Sequence, residues 1–285
     1  MSDDLAISVV GLRKTYDDKA AVDGVDLSIH RGECFALLGP NGAGKSTTVE
    51  ILEGYRKRDA GEVSVLGVDP SKAGMEWRQR VGIVLQTTGE FDDLTVGEVV
   101  SHFSTFYTKG ADPGEVIERV GLTEKTNWRT HKLSGGQKRR LDVALGIVGN
   151  PELLFLDEPT TGFDPQARRE FWDLIRDLSA IGTTILLTTH YLDEAEALAS
   201  RVGVIANGKM IEVGTPSELG GRNFATAKVS WRNAQGETRT TETDTPTAVV
   251  ASLSASDFGG GEVPELTIHR PTLEDIYLTM IGANQ

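Results

Sequence analysis

The segment Gly39-Pro40-Asn41-Gly42-Ala43-Gly44-Lys45-Ser46-Thr47 has the form G-x-x-x-x-G-K-[ST]. It follows an apolar run and precedes a helical pattern, the context in which such a loop cradles phosphates. Its glycines let the backbone close around an anion and aim N–H groups at it, and the helix N-terminus adds its positive end. Lys45 then reaches the β- and γ-phosphates as a point charge, and the Ser46 hydroxyl coordinates Mg²⁺. A second chemical element lies far downstream, where Leu153-Leu154-Phe155-Leu156 ends in Asp157-Glu158. An acid at the carboxyl end of a buried strand is placed to bind Mg²⁺, directly or through water. Glu158, one residue on, points to the other side of the strand and suits orienting or deprotonating an attacking water. Alone, two adjacent acids also fit a helix cap or a solvated turn; the phosphate loop favours the chemical assignment. The third element is Leu133-Ser134-Gly135-Gly136-Gln137, a small polar loop running into a helix. It is a second place to hold an anion, so one chain carries two cradles.

Elements that could position these residues are visible in the pattern. Phe35–Leu38, Val81–Leu85, Leu153–Leu156 and Thr184–Leu187 are short apolar runs with helical patterns between several of them. Such alternation predicts an α/β sheet of buried parallel strands with helices packed on it. Val22–Ile29 alternates apolar and polar residues as a half-buried strand does. From Thr95 to Tyr107 the period becomes helical, and Thr95 with Glu98 forms a capping box. Pro113–Val120 reads as a second short helix, so 87–132 is a helical insertion whose aromatic stripe is expected in the core, a docking groove being the sharper alternative. After Gly220-Gly221 the character shifts. Phe224–Trp231 and Val263–His269 are strand candidates around a polar, Thr-rich stretch from Gly236 to Thr247, and Leu273–Met280 is a closing helix.

The net charge of −13 opposes non-specific binding to nucleic acid. The run Lys138-Arg139-Arg140 is a local basic patch, expected to be a solvated helix face. The single cysteine, Cys34, excludes an internal disulfide and sits in an apolar run as a small hydrophobe. No secretory pattern and no membrane-spanning apolar stretch is visible, so the expected protein is soluble and cytoplasmic, reaching the membrane only through a partner.

Taken in order, these motifs resemble the ATPase subunit of an ABC transporter over about residues 5–220. The resemblance implies a P-loop NTPase core with a mainly parallel sheet, an N-terminal antiparallel β subdomain, the helical insertion and a small C-terminal α+β appendix at 221–285. Tyr16 would stack on adenine. Gln86 would contact the metal or the water at the hinge of the insertion. His190, ending Thr184-Ile185-Leu186-Leu187-Thr188-Thr189, would hold the γ-phosphate and Glu158, and Asp164 would face the opposite site. It also implies a head-to-tail homodimer, in which Ser134, Gly135, Gly136 and Gln137 close over ATP held by the partner's phosphate loop. The chain would then hydrolyse Mg-ATP at the cytoplasmic face of the membrane, bound to separate transmembrane permease subunits. Phe163 stands where a Leu is commoner, which bears on interface packing and not on the acids. The tail Pro271-Thr272-Leu273-Glu274-Asp275-Ile276-Tyr277-Leu278, with Gly282, resembles that of bacterial ATPases that drive drug, antibiotic or polysaccharide exporters. The alternatives are a soluble ABC-type ATPase acting on nucleic acid or ribosomes, and an importer ATPase.

Overall fold

The computed structural model describes residues 4–85 and 91–282; Gln86 lies outside them. The chain divides into two compact units, Met1–Pro216 and Ser217–Gln285. The boundary thus precedes the one expected after Gly220. A Cβ on Gly220 would sit 2.3 Å from Ile276 Cγ2, so this glycine packs within the second unit.

The first unit is built on two sheets. β1 (Leu5–Tyr16), β2 (Lys19–His30) and β4 (Ala60–Val65) form an antiparallel sheet in the order β2-β1-β4. Ile7 and Val9 point inward on β1, and after a register shift Leu12 does too, facing a core shared with Val25, Leu27 and Ile29. The second sheet has the order β5-β6-β7-β3-β8-β9, from β3 (Cys34–Leu38), β5 (Val81–Val84), β6 (Leu153–Asp157), β7 (Thr184–Thr189), β8 (Arg201–Ala206) and β9 (Lys209–Gly214). Its pairs are parallel except β8–β9. Every residue of β3 and β7 is buried, which is why these strands read as continuous apolar or threonine runs.

Register places the chemistry. Leu38 lies opposite Thr189, and Asp157 opposite Thr188. The residues that follow β3, β6 and β7 therefore leave the sheet at one edge, the carboxyl edge where open α/β sheets bind ligands. From there α1 (Lys45–Leu52) follows the glycine loop, burying Val49, Ile51 and Leu52.

The insertion holds α3 (Val96–Ser104) and α4 (Pro113–Arg119). The capping box is present: Thr95 Oγ1 accepts from Glu98 N, and Thr95 N donates to Glu98 Oε2. The aromatic stripe differs from the expectation. Val96, Val99 and Val100 fill the core, whereas Phe106 is 57% exposed. Phe103 packs edge-on against both Phe91 and Phe106. α3 ends at Ser104, so Phe106 lies past the helix and off the buried face that Val96, Val99 and Val100 share with Phe103.

In the second unit β10 (Ala227–Arg232) pairs with β11 (Thr238–Thr243) and β12 (Thr267–His269), and α8 (Pro246–Asp257) and α9 (Leu273–Gly282) complete it. The first strand starts later than expected, and Phe224 is 86% exposed before it. The polar, Thr-rich stretch, given no element from the sequence, holds a strand; as a mostly exposed edge it carries no apolar alternation.

Candidate functional site

The phosphate loop is shaped by backbone packing. A Cβ on Gly39 would lie 2.3 Å from the Ile205 carbonyl oxygen, and one on Gly44 2.4 Å from that of Ala21. Gly44 also adopts φ 107°, open to glycine and strained for other residues. Ala43 is buried, and its N–H donates to the Pro40 carbonyl. Lys45 is 6% exposed, with Nζ donating to the carbonyls of Gly39 at 2.7 Å and Pro40 at 3.3 Å. Burial lowers its pKa, opposed by the nearby carboxylates Glu158 and Asp157.

A pocket of about 510 Å³ opens over this loop. Asn41, Gly42, Gly44, Lys45, Ser46 and Thr47 line its floor; Tyr16, Lys19 and Ala21 line one side, and Glu158 also borders it. The side chains of Lys14 and Arg56 lie within 5.5 Å of the Tyr16 ring centre, and the ring is part exposed. A larger cleft of about 960 Å³, bordered by Trp77, Arg80 and Asn150, contains none of the expected site residues.

The acid pair sits where the register requires. Thr188 Oγ1 donates to Asp157 Oδ1 and accepts from the Glu158 N–H, which also reaches the Thr188 carbonyl. Glu158 has φ 43°, a left-handed backbone for a residue with a Cβ. That geometry costs about 1–3 kcal/mol and clusters at active sites. It turns the chain sharply at the strand end. The Glu158 Oε2 lies 3.3 Å from His190 Nδ1 and accepts from Thr161 Oγ1 at 3.4 Å. Asp157 and Ser46 offer only oxygen donors, the chemistry of a hard cation that takes its other ligands from phosphate and water.

The second cradle opens α5 (Gly135–Ile147). Ser134 is its N-cap, accepting from Gln137 N while Gln137 Oε1 accepts from Ser134 N. A Cβ on Gly135 would meet nothing within 4 Å, so the approach to this helix end is open. None of Ser134, Gly135, Gly136 or Gln137 borders the pocket over the phosphate loop. Asp164 caps α6 (Pro165–Ala180), its Oδ1 accepting from Gln166 N and Ala167 N. Phe163 packs edge-on against buried Phe171, so the less common residue at that position is held by the core.

The family description "ABC transporter" matches residues 22–161. The chain is 37% identical to a daunorubicin resistance ATP-binding protein of Streptomyces coeruleorubidus, over 98% of this chain and 96% of that one. It is 38% identical to a Nod factor export ATP-binding protein of Ralstonia nicotianae, over 97% and 94%. The chain belongs to the ATP-binding proteins of ABC transporters. The fold agrees: a solved ATP-binding subunit of an ABC transporter superposes with a TM-score of 0.68 at 25% identity, covering 77% of this chain and 93% of that one. A dimeric bacterial ABC transporter cassette superposes with a TM-score of 0.66 at 25% identity, covering 73% and 98%.

As an ABC ATPase the protein binds and hydrolyses ATP. Two participants in its site escaped sequence reasoning. Thr188 is one, a buried strand threonine that tethers both acids. The other is Arg139. The basic run was expected on a solvated face, yet Arg139 is 7% exposed. The sequence carried no clear signal: Arg139 shares its helical face with Asp142, Val143 and Gly146, all four buried, and two charges on that face read as solvated. Among the described residues no helix of this ABC ATPase is long and apolar enough to cross a membrane.

Proposed function

We propose that this protein is the Mg-ATP-hydrolysing motor of a membrane exporter, working as a head-to-tail pair bound to separate transmembrane subunits. One observation carries the pairing: Ser134 and Gly135 are exposed, and none of residues 134–137 borders the chain's own nucleotide pocket. An anion site built at that end needs a nucleotide from elsewhere, and a second copy supplies it. That a solved cassette of the same fold is dimeric supports pairing, and the names of the relatives in drug resistance and Nod factor export support export.

Within each site the glycine loop holds the α- and β-phosphates, Lys45 reaches the β- and γ-phosphates, and Tyr16 stacks on the base. Ser46, Asp157 and Gln86 hold Mg²⁺, which when bound offsets the negative charge of the phosphates. Glu158 orients the water and takes its proton. His190 holds Glu158 and meets the γ-phosphate. The partner's Ser134, Gly135 and Gly136 close the far side, with Asp164 at the interface. A groove of about 480 Å³ beside the insertion, bordered by Tyr55, Ile83, Phe103 and Glu53, is assigned to the transmembrane partner. Tyr55 is 80% exposed there, and burial pushes the Glu53 carboxyl up to about 8.

Glu158→Gln is expected to keep ATP binding and lower turnover by about 10²–10⁴-fold, the usual worth of a general base. In the same background ATP should drive a stable dimer on a sizing column. Adding Ser134→Arg should abolish that dimer while a fluorescent ATP analogue still binds the monomer. Full hydrolysis by a strictly monomeric protein would overturn the reading.

A further inference from the structure

Arg139 is a buried cation to which the proposed cycle gives no task. It lies on α5, in the second turn after Ser134. Nε donates to the Pro159 carbonyl at 3.0 Å, Nη2 to that of Asp157 at 2.8 Å, and Nη1 to that of Leu85. Asp142, one turn further along α5, stands 3.6 Å away. The three carbonyls are not a random set. Leu85 immediately precedes Gln86, Asp157 bears the metal carboxylate, and Pro159 immediately follows Glu158.

A guanidinium suits such a task. It offers five donors in a rigid planar fork, whereas an ammonium of the same charge has no fixed plane. Burying a cation is unfavourable unless its donors are met, and here all three nitrogens are met. From Ser134 to Arg139 the helix rises about 7.5 Å without a break. The helix end that meets a partner's nucleotide is thus pinned to the strand ends that hold this chain's own catalytic groups.

We propose that Arg139 is a positioning residue that couples the two half-sites of one chain. Engagement of Ser134 at one nucleotide fixes the angle of α5. Arg139 carries that angle to the peptides of Leu85, Asp157 and Pro159, which set the metal carboxylate and Glu158 at the other nucleotide. The inference rests on the head-to-tail reading above.

The test uses the full chain with Arg139→Gln and Arg139→Lys. Turnover against ATP concentration, binding of a fluorescent ATP analogue and thermal melting are measured together. In Arg139→Gln, kcat should fall by about tenfold to a hundredfold, the scale of a misplacement near 1 Å. Analogue affinity should stay at the unsubstituted value and the Hill coefficient should drop towards one. Arg139→Lys, which keeps the charge and most of the volume, should recover part of kcat and little of the cooperativity. Unchanged kcat and cooperativity in both variants, or a loss of kcat matched by loss of analogue binding, overturns the proposal. So does an unsubstituted chain whose ATP dependence shows no cooperativity. Amide exchange keeps the test open if the variants do not fold. In Glu158→Gln protein with Arg139 intact, ATP-driven pairing should slow exchange over 157–161 together with 134–139, and protection of only one segment overturns coupling. If the unsubstituted chain neither hydrolyses ATP nor pairs, the motor reading itself fails, and that outcome is distinct from all of these.

Discussion

Glu158 shows how much a site depends on one residue's backbone. Its φ of 43° swings the carboxylate away from the line of β6, towards His190 and Thr161. The strain is offset by two hydrogen bonds from its N–H to Thr188, one to the carbonyl and one to the hydroxyl. The hydroxyl is also the donor that steadies Asp157. Thr188→Val keeps shape and β-branching and removes only that oxygen. It should destabilise the protein by about 1 kcal/mol, the net worth of a hydrogen bond, as read by urea unfolding. Because both acids lose an anchor, kcat should fall while ATP binding is retained. An unchanged kcat would show that the backbone alone positions the pair.

At the level of elements, caps decide where helices begin. Thr95 and Glu98 close α3, Ser134 and Gln137 close α5, and Asp164 closes α6. The three caps share one chemistry but differ in what else they are asked to do. Thr95 lies outside the site, so Thr95→Ala isolates the structural part. It should cost about 1 kcal/mol of stability in urea melts and leave kcat for ATP hydrolysis unaltered. The same comparison explains why the capping box was legible and the fate of the aromatic stripe was not. A cap is written in two residues three apart. How far the helix runs, and so whether Phe106 shares its buried face, depends on what the rest of the chain lays against it.

Across the whole first unit, ion pairs join segments distant in sequence. Glu152, just before β6, accepts from Arg80 before β5 and from Arg31 before β3. The Arg80 guanidinium, then Arg31, holds its carboxyl down to about 2. A depressed carboxyl stabilises the fold above its unfolded value of 4.5, and that contribution is lost as pH falls from there towards about 2. The side chain is 43% exposed, so screening limits the effect to about 1 kcal/mol or less. Glu152→Gln should therefore lower the melting temperature at pH 7, with the gap to the parent narrowing between pH 4.5 and 3. A gap that widens with acidity would contradict the assignment.

Much of the first unit was legible in the sequence because its signals are local. The glycine loop, the acids after a buried strand and the Ser-Gly-Gly helix start each occupy a few consecutive residues whose backbone chemistry dictates their shape. The apolar runs announced parallel strands because burial on both faces leaves no polar alternation. The second unit was less legible: its two edge strands are mostly exposed, and a threonine-rich run without apolar alternation gives no strand signal. Tertiary structure alone decided that Thr188 tethers both Asp157 and Glu158, since strand order and register are set by packing between segments far apart in the chain. It alone turned Arg139 inward, because a charge is buried only where distant carbonyls come together to satisfy it. And it alone left Ser134 away from the chain's own pocket, because where a helix end points follows from how the helix packs and not from the residues that cap it.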